Sequence, residues 1–144
     1  MARVSITTRL NESEVEAAVR HHVTKAVRRA QRRTRDRAKA ELTKAGRVDT
    51  GRLRNSIVSE VVEPSGQVLR GRVVADVDYA DYVHQGTGVY GPRGRPIVPR
   101  RARVLRWRPR GSSAFVFRPE VRGIEPTPFL QRAQERVRPS DYLP

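Results

Sequence analysis

Between residues 11 and 45 the chain contains neither proline nor glycine, and its apolar side chains recur at helical spacing. Val15, Val19, His22, Ala26 and Ala30 fall on one stripe, with Val23, Val27, Ala38 and Leu42 beside it. Asn11 with Glu14, or Ser13 with Glu16, supplies a capping box. Glu12, Glu14 and Glu16 complement the positive end of a helix, and Gly46 is placed to stop it. The pattern predicts one long basic helix over 11–45. About 33 residues at ~1.5 Å each reach roughly 50 Å, several times an average helix. Its apolar members are nearly all alanine and valine, which permit close approach but bury little. Such a helix is not stable alone in a small domain: it needs a sheet under one end and neighbours along the rest.

The remaining sequence supplies the sheet. Asp49-Thr50-Gly51 can cap a short helix with Leu53 and Ile57 on one face. Residues 57–63 and 68–77 are β-branched runs separated by Pro64-Ser65-Gly66-Gln67, a hairpin pattern, and Val4 and Ile6 alternate with polar residues as a short first strand would. Tyr79, Ala80 and Val83 form an amphipathic turn that breaks at Gly86-Thr87-Gly88. A basic, proline-punctuated segment then fills 86–110, far beyond the ~4–6 residues of an ordinary connection, so its expected role is to find order in a partner. Residues 104–107 and 114–117 suggest a second hairpin. Pro126-Thr127-Pro128 opens a closing helix with Phe129, Leu130, Ala133 and Val137, and Arg138-Pro139 ends it, leaving 139–144 as a tail. The element order predicts an α+β fold: antiparallel sheet packed with one long N-terminal helix and short helices, plus a long basic loop. At 144 residues a single domain, 1–144, is expected.

Thirty basic residues face fifteen acidic ones, a formal charge of +15, and all but three of the thirty are arginine. The excess points to nucleic acid or an acidic protein face, because the guanidinium fork pairs bidentately with phosphate and carboxylate. A GC-rich genome would produce the same arginine bias. Only five bulky Phe, Trp and Met residues are present, so part of the burial is expected to come from other subunits. The lack of cysteine excludes disulfides and thiolate metal sites, and no apolar run reaches the ~18 residues of a membrane span. The expectation is a soluble chain that stays in the cell that makes it, with no membrane partner.

Catalysis is disfavoured. Asp76, Asp78, Asp81 and His84 form the one acidic and imidazole cluster worth weighing, but Asp78 and Asp81 suit the start of a helical turn and no further base or nucleophile accompanies them. Gly86, Gly88, Gly91 and Gly94 lack the Gly-Lys-Ser/Thr of a phosphate loop and read as loop flexibility. No catalytic residue, metal ligand or cofactor is therefore assigned. Residues 93–110 hold eight arginines and no acid, suited to phosphate or to an acidic neighbour, without a motif for reading base sequence.

Tyr79-Ala80-x-x-Val83-x-x-Gly86-Thr87, preceded by Thr50-Gly51-x-Leu53-x-x-Ser56 and followed by Val121-x-Gly123 and Pro128-Phe129-Leu130-x-x-Ala133, resembles the tail-completion, or head–tail joining, proteins of long-tailed double-stranded-DNA phages. The resemblance covers roughly residues 49–133. His84-Gln85 departs from the acidic or aromatic residue often found there, and the 88–110 loop is longer and more basic than usual. The resemblance implies a non-enzymatic virion subunit, assembled in the host cytoplasm as a homo-oligomeric ring, commonly of six, in the neck between head and tail. Its neighbours would be head-closure and tail-terminator or tail-tube rings. Partner contacts are then expected at Tyr79, Tyr82, Gly86, Thr87, Arg93, Arg95, Ile97, Arg100, Arg101 and Trp107, and nonspecific DNA contact at Arg28, Arg32, Arg35 and Lys39. Six copies at +15 would carry +90. DNA threading ~50 Å of ring offers only about 30 negative charges at one per ~1.7 Å, so acidic faces on adjacent rings should balance much of the rest. The alternative expectation is a sequence-nonspecific nucleic-acid-binding protein.

Overall fold

The computed structural model describes residues 12–65 and 68–143. A single long helix, α1 (Glu12–Lys44), leads into a one-turn helix, α2 (Arg52–Asn55), and an antiparallel hairpin of β1 (Ile57–Ser65) and β2 (Val68–Ala75). After α3 (Ala80–Gln85) come a 3-10 turn (Gly88–Tyr90), a second hairpin of β3 (Leu105–Trp107) and β4 (Val116–Arg118), α4 (Phe129–Glu135) and a final 3-10 turn (Pro139–Asp141). This is an α+β arrangement, in which α1 lies against the first hairpin and α4.

Local chemistry explains the boundaries. Gly46 takes a left-handed φ of 64°, so its N–H reaches Thr43 O at 3.1 Å and the Arg47 N–H reaches Leu42 O at 3.0 Å, satisfying the last carbonyls of α1 as a Schellman motif does. Ser56 closes α2, donating its hydroxyl to Leu53 O at 2.8 Å, while Ile57 starts β1 instead of extending the helix. In the first hairpin Ile57 faces Ala75, Ser59 faces Val73 and Val61 faces Gly71, with an irregularity before Ser65 meets Val68. The start of the capping box expected at Asn11, the Val4–Ile6 strand and the Gly66-Gln67 end of the hairpin loop lie outside the described residues.

The core is small and sits under the C-terminal half of α1. Ala38 and Leu42 pack with Leu53, Ile57, Ala80, Phe129 and Ala133, and Val73, Ala75, Val77, Val83 and Leu130 cover the edges. Phe129, Leu42 and Ile57 are the largest fully buried side chains, each contributing about 1.5–3 kcal/mol by leaving water. Higher on the helix the buried Gln31 amide donates to the carbonyls of Glu60 and Arg72, and Gly71 leaves the room it occupies: a Cβ there would stand 2.6 Å from the Gln31 side chain.

Two expectations change. The second hairpin does not join the first; β1–β2 and β3–β4 are separate two-stranded sheets. Nor do the last residues trail off as a tail. Asp141, 2% exposed, receives Arg37 Nη2 at 2.8 Å, Arg33 Nη1 at 3.3 Å and the Arg138 backbone N–H at 2.9 Å. One turn along, buried Glu41 of α1 receives Arg132 of α4 at 3.8 Å and Arg136, the residue that caps α4, at 2.6 Å. Each buried carboxylate is thus bracketed by two arginines from the opposing segment, the pairing a buried charge requires. The Arg37 fork, then the Arg138 N–H and Arg33, hold the Asp141 carboxyl well below the usual carboxylate range, and the same contact raises Arg37.

Candidate interaction surface

The base of the long loop is built on backbone. Gly86 ends α3 with φ 80° and is buried. Beyond it Thr87 donates its N–H to Ile124 O at 2.9 Å and accepts the Ile124 N–H on its hydroxyl at 3.0 Å, while the Val89 N–H reaches Arg122 O at 2.8 Å. Ile97 and Val121 then exchange both backbone bonds, at 2.8 and 2.9 Å. Where the strands cross, Gly88 and Gly123 approach so closely that a Cβ on Gly88 would strike the Arg122 carbonyl and one on Gly123 the Thr87 carbonyl. Gly88 is therefore a close-approach residue and not a point of flexibility. Gly86 and Thr87, expected at a partner contact, are occupied in this structure by the loop's own anchoring.

On that base the arginines stand free. Arg93, Arg95, Arg100, Arg101, Arg103, Arg106 and Arg108 are exposed and make no ion pair among the described residues; Arg110 alone of the eight is paired, with Asp49. Ile97, Val98 and Trp107 are exposed among them. The second hairpin adds an aromatic surface that the sequence reading passed over. Phe115 and Phe117 are exposed, and the guanidiniums of Arg106 and Arg108 lie 3.8 and 5.4 Å from the Phe115 ring centroid. Aromatic residues two apart near a strand share a face, which was the available signal. Apart from its own pairing, no named element packs substantially on this hairpin among the described residues. Tyr79 and Tyr82 are exposed beside exposed Asp78 and Asp81, and no hydrogen bond or ring contact links them to the arginine segment.

The basic residues of α1 divide into two rows. Arg29, Arg33 and Arg37 turn inward and donate to the carbonyls of Tyr142, Ser140 and Arg136, at 3.3, 2.7 and 3.0 Å, with Arg33 and Arg37 also on Asp141. Arg28 and Arg32 lie on the outer row, exposed and without side-chain partners among the described residues. Arg35 donates to Asp36 at 2.8 Å, and Lys39 is half-buried. The mutual repulsion expected between Arg29 and Arg33 is thus relieved by the C-terminal segment, whereas that between Arg28 and Arg32 is not.

The arrangement is suited to binding. Among the described residues no three His, Cys, Asp or Glu side chains converge as a metal site, and no helix is long and apolar enough to cross a membrane. His84 is packed edge-on against Phe129, ring centroids 5.3 Å apart, with its buried Nδ1 unpartnered. A cavity of about 630 Å³ between α1, β2 and the C-terminal segment is lined mainly by Val27, Ala30, Gln31, Val73, Leu130 and Tyr142.

No curated protein and no solved structure matches the chain. A family model does, over residues 5–86: the one described as "Bacteriophage HK97-gp10, putative tail-component". The matched span takes in α1, α2, the first hairpin and α3 and stops at Gly86, where the arginine loop begins. It covers more than half of the 144 residues, and the chain accordingly belongs to the HK97-gp10-like family of phage tail components.

Proposed function

We propose that this protein is a structural subunit of the phage neck, a single-domain chain assembling with other virion proteins as a ring, six copies in the simplest case, that joins the DNA-filled head to the tail. The observation that carries the reading is the rigidly based loop whose arginines are exposed and acid-free from 93 to 108. Seven unpaired guanidiniums on one anchored segment repel one another unless a partner neutralises them. Ile97 and Trp107 give that partner apolar anchors, in the pattern of an interface hot spot. Tyr79 and Tyr82, exposed among aspartates, suit a separate basic neighbour. Disrupting the gene should yield filled heads beside unattached full-length tails in electron micrographs of lysates; normal joined virions would overturn the proposal. Deleting 93–103 should leave a folded subunit that no longer joins particles.

A second reading, nonspecific nucleic-acid binding, is favoured by the unpartnered Arg28 and Arg32, with Arg35 and Lys39 continuing their row. It predicts tight binding of the isolated protein to any duplex at physiological salt, with a log–log salt slope near −5 for about six phosphate contacts. A neck subunit binds only weakly under those conditions.

A further inference from the structure

Along the first turns of α1 every residue from 15 to 23 is exposed, Val15, Val19 and Val23 by 44%, 55% and 45%. These valines recur every four residues and lead into Val27 and Ala30, which line the cavity beside α4, so one apolar band runs from the helix tip into the body of the fold. A projecting helix of this length is marginal in water without a covered face. The same turns carry Glu12, Glu14 and Glu16 and no basic residue before Arg20, in a chain of net charge +15. Of the three, Glu16 is joined to Arg20 by an exposed pair at 3.2 Å.

The chemistry that complements this tip, apolar and positive together, is present on the same molecule. The β3–β4 hairpin exposes Phe117 (56%), directly across from Arg106 on the same face, and just before β4 exposes Phe115 (44%), with Arg108 near its ring. We infer that the acidic, valine-striped tip of α1 docks on the arginine and aromatic face of the β3–β4 hairpin of a second copy, head to tail. Two different, complementary patches on one chain make a heterologous contact, which repeats around a closed ring or along a filament. The inference rests on the ring reading above and supplies its interface: the carboxylates pair with guanidiniums, and the valines cover aromatic rings that stand exposed on the single copy.

The absence of cysteine makes the test clean. Val19→Cys and Phe117→Cys, both at exposed positions, are combined in one chain, incorporated into phage particles and treated with a short bismaleimide. A ladder of covalent multimers reaching ring size is expected on a denaturing gel for the double variant, and monomer for each single variant. Joined particles that give no ladder would overturn this interface and leave the ring reading standing. A ladder from Tyr82→Cys with Phe117→Cys instead would move the contact to the aspartate and tyrosine patch. Particles that join normally without any copy of the protein would remove both readings. A second measurement uses assembly of the purified chain. Glu12→Lys, Glu14→Lys and Glu16→Lys together in one variant, and Arg106→Glu with Arg108→Glu in another, should each abolish self-association, and mixing the two should restore it as an alternating assembly. A mixture that stays monomeric while the wild-type chain assembles would equally overturn the assignment.

Discussion

The two ends of α1 obey opposite rules. Its C-terminal half is a structural beam: Ala38 and Leu42 lie in the core, Gln31 is hydrogen-bonded to the first hairpin, and Arg33, Arg37 and Glu41 are held in ion pairs with the C-terminal segment. Its N-terminal half has the same residue types, valine and alanine with arginine and glutamate, and residues 15–23 are all exposed. Helical periodicity is continuous across both, so a helix is dictated throughout, but only tertiary context makes one half a core element and the other a surface. A continuous amphipathic helix therefore does not reveal how far its own domain extends along it.

Four variants test that contrast, from the largest effect downward. Leu42→Ala opens a cavity at one of the three largest fully buried side chains among the described residues and should cost about 2–5 kcal/mol in chemical denaturation; a loss below ~1 kcal/mol would mean that this end of the helix is no beam. Asp141→Asn should come next. Because the folded state holds the Asp141 carboxyl far below its unfolded value of roughly 3.9, wild-type stability from this clamp is complete above that pH and drains away as acid is added towards the folded value. The asparagine variant should have a lower melting temperature at neutral pH and a flatter profile below pH 4. A parallel pair of profiles would show that the clamp contributes nothing.

At the bare end, Val19→Asp should change monomer stability by no more than about 0.5 kcal/mol while abolishing joining in a complementation assay; equal damage to folding would erase the distinction between the halves. The smallest effect belongs to the outer basic row. Arg28→Ala with Arg32→Ala should leave the melting temperature level or slightly raised, by a few tenths of a kcal/mol, since it removes a like-charge pair four residues apart. It should reduce any salt slope of DNA binding by nearly 2, at ~0.9 per phosphate contact. An unchanged slope would clear this face of DNA contact.

Much of the fold was legible because its signals are local. The expected helix over 11–45 is found as Glu12–Lys44, and the β-branched runs appear as Ile57–Ser65 and Val68–Ala75. Pro128 directly precedes the closing helix at Phe129–Glu135. Each rests on periodicity, a cap or a turn within a few residues. What escaped the reading is long-range. Asp141 lies 104 residues from Arg37, and no spacing rule connects a lone aspartate near the C-terminus to an inner row of arginines on the first helix. The crossing of Gly88 and Gly123 was likewise visible only as two glycines, and the separateness of the hairpins as no signal at all. For the surface, the arginine loop was evident from charge, whereas Phe115 and Phe117 acquire meaning only once β3 and β4 bring Arg106 and Arg108 over a ring.

The backbone crossing at Gly88 and Gly123 also bears on how this protein can change over time. With Thr87 tied to Ile124 and Ile97 to Val121, the chain between Val98 and Glu120 enters and leaves at a fixed gate, and the core does not register what lies between. Doubling the length of such a loop costs only about 0.6 kcal/mol. The segment is thus tolerant of length: insertions outside the β3–β4 hairpin leave the fold intact, provided the two glycines at the gate are kept.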